Sequence, residues 1–368
     1  MQTNCRKQKG VRYYMKNTNL NRLQELDALR GIAALMIVIF HLTMKTPVSQ
    51  YGFNLGVTAV DLFFMISGFV IFLTLNKSKN WKDFAISRFS RLYPVYWTVV
   101  TFTAILIIVQ NGFTVSFAWR YLANMTMFQS YFRQENLDKS YWTMIVEMLF
   151  YLYMLVIFIS KKLKGIEIIG AITIVPIFIY SLPFFKTELP GVHKILNGGL
   201  PLINHFPLFF AGILFYKIKL GDSTKRSYLL ILLCFICQLL LFNDGGRAHY
   251  FISFPQYLGM LTVYFLTFIL FIKNKLKFLV NRYTLFLGSI SFSLYLLHEY
   301  ISLTVIMPWL NAMGMNFYLG MAIDILIVII LAYTITKLIE QPAMRYIRNK
   351  YIRRSAAIKK DPVPGIPY

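Results

Sequence analysis

The sequence predicts an all-α, polytopic integral membrane protein with about ten transmembrane helices and both termini cytoplasmic. Three observations carry that reading. Hydrophobic residues make up 57% of the chain and charged residues only 14%, with 33 Phe and 24 Tyr among 368 residues, which is not the composition of a soluble domain. Ten apolar runs are each long enough to cross the ~30 Å of hydrocarbon in a bilayer. The net charge of +23 therefore belongs to the loops, and cationic membrane loops account for it better than a nucleic-acid partner does.

The ten spans fall at 29–46, 56–75, 92–110, 141–160, 166–184, 200–216, 227–243, 252–272, 285–308 and 317–338. Pro176, Pro207 and Pro255 mark kinks or helix starts within them. Residues 1–25 are polar and basic with no cleavage pattern, so the first helix reads as an uncleaved signal-anchor. With the N-terminus inside, 31 of the 38 Lys and Arg lie in inside segments and 7 outside, as the positive-inside rule requires. An odd number of spans would reverse that bias downstream, which places the C-terminus inside as well. Three segments follow: a basic N-terminal stretch, 1–25; a membrane domain, 26–348; and a basic tail, 349–368. No soluble domain is expected beside them, because the outside stretch from Asn111 to Ser140 is too short for an independent enzyme. The chemistry must then be done by the bundle itself. Cys5 lies in the polar N-terminus, and Cys234 and Cys237 stand three apart on one helical face. These two read as packing residues, since no further pair completes a zinc site and no metal is expected.

Ionisable residues within the apolar spans are costly to keep there and point to function. Arg30 and His41 bracket the first span, eleven positions apart, which on a helix is about 16 Å of rise and a return to nearly the same face. Asp61 and Glu147 lie five to six residues below the outer ends of their helices, so His41, Asp61 and Glu147 are expected at one depth, about 7 to 9 Å beneath the outer surface. Histidine suits proton transfer near neutral pH, and a neighbouring carboxylate can orient it and stabilise its cation. On the cytoplasmic side, Arg88 and Arg91 of SRFSRLYP stand just before the third span, with Arg30 at the same level. Their guanidinium groups suit phosphate. Ser67 and Gly68 form a small-residue notch where a helix or an extended ligand approaches closely. His298, beside Glu299, and Trp142 are expected to line the substrate cavity. Asp324 is a lone carboxylate, and Glu340 is expected to pair with Arg345. His193, His205 and His249 fall in or near outside loops, with no role beyond acceptor contact.

In order along the chain, LDALRGIAALMIVIFH, GVTAVDLFFMISGFVIF, SRFSRLYPVYW, YWTMIVEMLFY, SISFSLYLLHEY and LIEQPAMRYI resemble the membrane-bound acyltransferase-3 family, the O-acyltransferases of bacterial surface glycans. The resemblance covers residues 25 to 348. It implies a multi-pass protein of the bacterial inner membrane that passes an acyl group, most often acetyl, from cytoplasmic acetyl-CoA to a hydroxyl of an exported or surface glycan, free or lipid-linked. It also implies that Arg30 and His41 are the essential pair, that Arg88 and Arg91 form a basic loop motif, that Ser67 and Gly68 belong to the FFMISGF motif, and that His298 is the second family histidine. Some relatives carry a fused extracytoplasmic hydrolase-like domain. This chain is expected to transfer alone or to hand the acyl group to a separate extracytoplasmic transferase.

The expected mechanism is direct attack of the acceptor hydroxyl on the thioester, with His41 as general base oriented by Asp61 or Glu147. Arg30, Arg88 and Arg91 would hold the CoA phosphates. A covalent acyl-His41 intermediate is the alternative route. From a different class, a transporter of a glycan or lipid-linked intermediate also fits ten helices with intramembrane charges, although the sequence lacks the inverted repeat such folds carry.

Overall fold

The computed structural model describes residues 23–360, with only the backbone for 354–360. Most of the basic N-terminal segment, Cys5 and the last residues of the tail lie outside the described residues. Every regular element among the described residues is helical. In chain order these are α1 (Gln24–Thr43), α2 (Ala59–Lys77), α3 (Trp81–Asn111), α4 (Val115–Met125), α5 (Trp142–Ile159), α6 (Ile166–Ser181) and α7 (Pro183–Glu188). Next come α8 (Pro190–Gly199), α9 (Phe206–Lys219), α10 (Lys225–Leu240), α11 (Phe254–Ile272), α12 (Arg282–Tyr300), α13 (Met307–Ala312), α14 (Phe317–Ile335) and α15 (Gln341–Lys360). Two π-helical segments, Ile301–Ile306 and Thr336–Glu340, interrupt the last part of the chain.

Among the described residues, eight helices are long and apolar enough to cross a membrane. The expected spans 200–216 and 227–243 correspond to α9 and α10, of 14 and 16 residues. At 1.5 Å per residue these measure only about 21 and 24 Å. α9 compensates by being enclosed: from Phe206 to Lys217 every residue is buried, the pattern of a helix with protein on all sides.

The chain forms two compact units. Among the described residues, the first comprises 23–76 and Trp142–Tyr295, the second Lys77–Tyr141 and 296–360. Within the first, α2 and α9 cross with their backbones nearly touching. A Cβ at Gly68 would sit 2.0 Å from the carbonyl oxygen of Phe209, and one at Gly212 would sit 2.1 Å from that of Met65. Such reciprocal glycines are how membrane helices gain close van der Waals contact where no hydrophobic force separates protein from lipid. α1 and α12 repeat the device, a Cβ at Gly31 meeting the Gly288 amide at 2.6 Å. At the ends of α6, α9 and α10, Glu167 pairs with Lys217 at 2.8 Å and accepts hydrogen bonds from Ser227 and Thr224. Cys234 and Cys237 are free thiols buried in α10.

In the second unit α3 begins eleven residues earlier than the expected 92, because Asn80 caps it. The Asn80 side chain accepts the Asp83 amide at 2.9 Å, and the Asp83 carboxylate receives the amides of Lys79 and Asn80. That reciprocal arrangement satisfies otherwise orphaned donors and starts the helix. Arg88 and Arg91 are thus helical residues rather than members of a loop. Pro94 lies inside the same helix, where its missing N–H leaves the Ser90 carbonyl without its usual donor.

Candidate active site

The first unit holds the proton-transfer candidates. His41 is half-buried in the last turn of α1, edge-on to Phe40 with ring centroids 4.8 Å apart. The 3-10 segment Phe53–Thr58 leads into α2 and packs on α1 here. A Cβ at Gly56 would meet the Met36 carbonyl oxygen at 2.5 Å and the Phe40 Cβ at 2.8 Å. Asp61 follows in the first turn of α2, buried, and accepts a hydrogen bond from the Tyr257 hydroxyl of α11 at 2.9 Å. Gln238 of α10 donates to that hydroxyl at 3.1 Å, so a Gln238–Tyr257–Asp61 relay runs across three helices. Sequence reasoning missed Tyr257 and Gln238. A glutamine inside the apolar run LLILLCFICQLLLF was the available signal.

Glu147 has a different address. Its Oε1 accepts the Ser67 hydroxyl of α2 at 3.0 Å and the Tyr151 hydroxyl one turn along α5. Ser67 is six residues beyond Asp61, which is about 9 Å of rise and about 120° of rotation on α2. The common depth expected for Asp61 and Glu147 therefore does not hold: Glu147 meets α2 at Ser67, about 9 Å along that helix from Asp61 and on a different side. The expectation took each helix to start at the membrane surface, and hydropathy does not report where a helix starts. The structure does join Ser67 to Glu147. Of the two occupants expected at the Gly68 notch it is a helix that fills it, the backbone of α9, so Gly68 serves helix packing rather than donor binding.

Trp142 and His205 pack together near the start of α5 and α9. Their centroids are 5.3 Å apart, and Phe64 lies 4.9 Å from the imidazole. His205, just ahead of α9, is buried at 3% exposure. Its Nδ1 has no hydrogen-bond partner. Arg30 is half-buried on α1 beside Gly31, the residue that lets α12 approach.

In the second unit Arg91 forms an ion pair with Glu340, which is 1% exposed. That corrects the expected pairing of Glu340 with Arg345, which is exposed. Proximity in sequence favoured Arg345, but the π segment Thr336–Glu340 turns the carboxylate toward α3. Arg88 donates to Ser87 Oγ at 3.1 Å. Arg348 of α15 donates to Ser90 Oγ at 3.1 Å and to the Ser87 carbonyl at 3.3 Å.

His298 and Glu299 are buried, 1% and 5% exposed, at the end of α12. Their register is held by a residue the sequence did not single out. Asp138 is 1% exposed and accepts the Tyr300 amide at 2.8 Å, the Ser140 amide at 2.8 Å and the Ser140 hydroxyl at 2.6 Å. Burial raises the Asp138 carboxyl above its usual range, against those hydrogen bonds, which lower it. The Tyr300 hydroxyl donates to Gln110, whose amide reaches the Thr304 carbonyl at 3.4 Å. Both ends of the transition into the π segment are thus pinned, as is common where π turns serve a site. Asp324 is fully buried on α14, with Ser302 of that π segment as its polar neighbour.

The family model described as "Acyltransferase domain" matches residues 23–340. A Haemophilus influenzae protein named only as uncharacterized is 29% identical over 216 residues, 50% of this chain and 88% of that protein. A protein of Acidianus two-tailed virus named "Putative acetyltransferase ORF330" is 23% identical over 301 residues, 77% of this chain and 85% of its own. A protein of Staphylococcus aureus strain COL named "Putative O-acetyltransferase" is 27% identical over 333 residues, 79% of this chain. The match spans about half of that protein, 52%. No solved structure matches the chain.

Proposed function

Because the chain belongs to the acyltransferase-3 family and is a multi-pass O-acyltransferase, we propose that it takes an acetyl group from acetyl-CoA at the cytoplasmic side of the bacterial inner membrane. The acceptor is a hydroxyl of a glycan, free or lipid-linked, at the outer side. The observation that supports this reading most is the pairing on α1 of Arg30 and His41, both half-buried on one face of a membrane-length helix. One end of that path offers charge to phosphate and the other offers a base.

His41 takes the proton of the acceptor hydroxyl as its oxygen attacks the thioester carbonyl. The tetrahedral adduct collapses, the C–S bond breaks, and the CoA thiolate leaves and takes that proton from the His41 imidazolium, which restores the base. The gain from a well-placed base is about 10²- to 10⁴-fold. We assign Asp61 rather than Glu147 to orient and charge-balance His41. The segment that carries Asp61 is packed on α1 beside Phe40, whereas Glu147 is committed to Ser67 and Tyr151. Glu147 then serves to brace α5 on α2. Trp142 in the first unit and His298 in the second are each proposed as acceptor contacts, and Arg30 and Arg88 are each proposed as contacts to donor phosphate. Ser67 acts through Glu147. A separate extracytoplasmic transferase is a partner to which the acyl group would pass if the glycan is not acylated directly.

The test is transfer of radiolabelled acetyl from acetyl-CoA to cell-surface glycan by membranes carrying wild type or His41→Ala. The variant is expected to lose at least a hundredfold in transfer while still binding CoA. Equal labelling of glycan by both proteins would remove His41 as the base. Label that appears on the protein with acetyl-CoA alone would point to the covalent route instead.

A further inference from the structure

Three arginines converge on the first turns of α3 in the second unit, and among the described residues only Arg91 has a counter-ion. Arg91 is neutralised by Glu340. Arg88 and Arg348 both donate to the hydroxyl of Ser87, at 3.1 and 3.4 Å, so two guanidinium groups bracket a single neutral oxygen. Among the described residues neither forms an ion pair, and the neighbouring carboxylates are committed: Glu340 to Arg91, and Asp83 to the Tyr351 hydroxyl and the amides of Lys79 and Asn80. The Nε of Arg88 is buried with no hydrogen-bond partner. Holding two like charges this close is unfavourable unless something neutralises them. Arg348 is also held in place: it is half-buried, with Nε on Ser90 and Nη2 on the Ser87 carbonyl.

We propose that Arg88 and Arg348 together form a phosphate-binding site across α3 and α15, and that Arg91 stands outside it as the ion-paired brace of the two helices. A phosphate bridging the forks would receive charge-assisted hydrogen bonds from both and supply the missing negative charge. The phosphate comes either from the nucleotide end of the acyl donor or from a lipid headgroup. The first source deepens the donor reading above and rests on it, while the second does not. α15 thereby becomes part of the binding apparatus and not merely a basic anchor. Arg348 is the distinguishing residue, because it lies beyond position 340, where the family match ends.

The test uses the full chain in phosphatidylcholine nanodiscs and compares wild type with Arg88→Ala, Arg348→Ala and Arg348→Lys. CoA binding is read by calorimetry, and phosphatidylglycerol retention by native mass spectrometry after doping that lipid into the discs. Loss of one charge-assisted contact is expected to weaken the bound phosphate about tenfold. Weaker CoA binding with lipid retention unchanged assigns the site to the donor, and lost lipid retention with CoA binding unchanged assigns it to the headgroup. Arg348→Lys keeps the charge and loses the fork, so it guards against a folding defect in the alanine variant and is expected to lose binding severalfold. If all three variants match wild type for both ligands, the site does not exist. Binding is read without acceptor or transfer, so a wild type that binds CoA but acylates nothing would overturn the function proposed above and leave this site standing.

Discussion

Asp61 owes its setting to a residue far away in sequence. Tyr257 donates to its carboxylate while the ring packs on Phe242, centroids 4.9 Å apart. Tyr257→Phe keeps that ring and removes only the hydroxyl, leaving a buried carboxylate oxygen short of a donor, a loss worth about 1 to 3 kcal/mol. If Asp61 orients His41, the variant is expected to lower kcat about tenfold in the acetyl-transfer assay with little change in KM for the donor. An unchanged kcat would release Asp61 from the mechanism. At this scale the sequence exposed the titratable residues, because a charge in an apolar run is conspicuous. The tyrosine and glutamine that serve them were hidden, because an amphipathic ring among 24 tyrosines carries no signal until its partner is known.

Between elements, the crossing of α2 and α9 rests on Gly68 and Gly212. Gly68→Ala would press a methyl into the Phe209 carbonyl, and backbone cannot rotate away as a side chain can. Overpacking of this kind costs about 1 to 3 kcal/mol. The purified variant is expected to melt several degrees lower in detergent, and a melting curve equal to wild type would mean that the helices do not approach so closely. The motif around Gly68 was legible as a place of close approach, yet whether a helix or a ligand filled it was not. The start of α3 was not read from the sequence, although the spacing of Asn80 and Asp83 carries the signal. Hydropathy alone passes over it, because the first turns of the helix are polar and bear the arginines that hold the second unit's basic site.

For the whole molecule, the distribution of basic residues makes a threading prediction that single cysteines can check. In a cysteine-free background, a cysteine at Lys139 is expected to react with a membrane-impermeant maleimide in intact cells, and one at Lys164 only after permeabilisation. Reaction at both positions in intact cells would invalidate the alternation on which the inside and outside assignments rest.

The all-helical membrane class, the family and the identity of the candidate acid and base groups are determined by the sequence itself. They rest on composition, on hydropathy over windows of a single helix, and on motifs within one segment, all of which are local in the chain. The tertiary structure alone decided which groups meet: Tyr257 with Asp61, Ser67 with Glu147, Arg91 with Glu340, Asp138 with the Tyr300 amide, and Arg348 beside Arg88. Each of these contacts joins residues tens to hundreds of positions apart. The rotation of a helix about its axis and its level along the bundle are set by packing against neighbours, and a periodicity read along one helix contains neither.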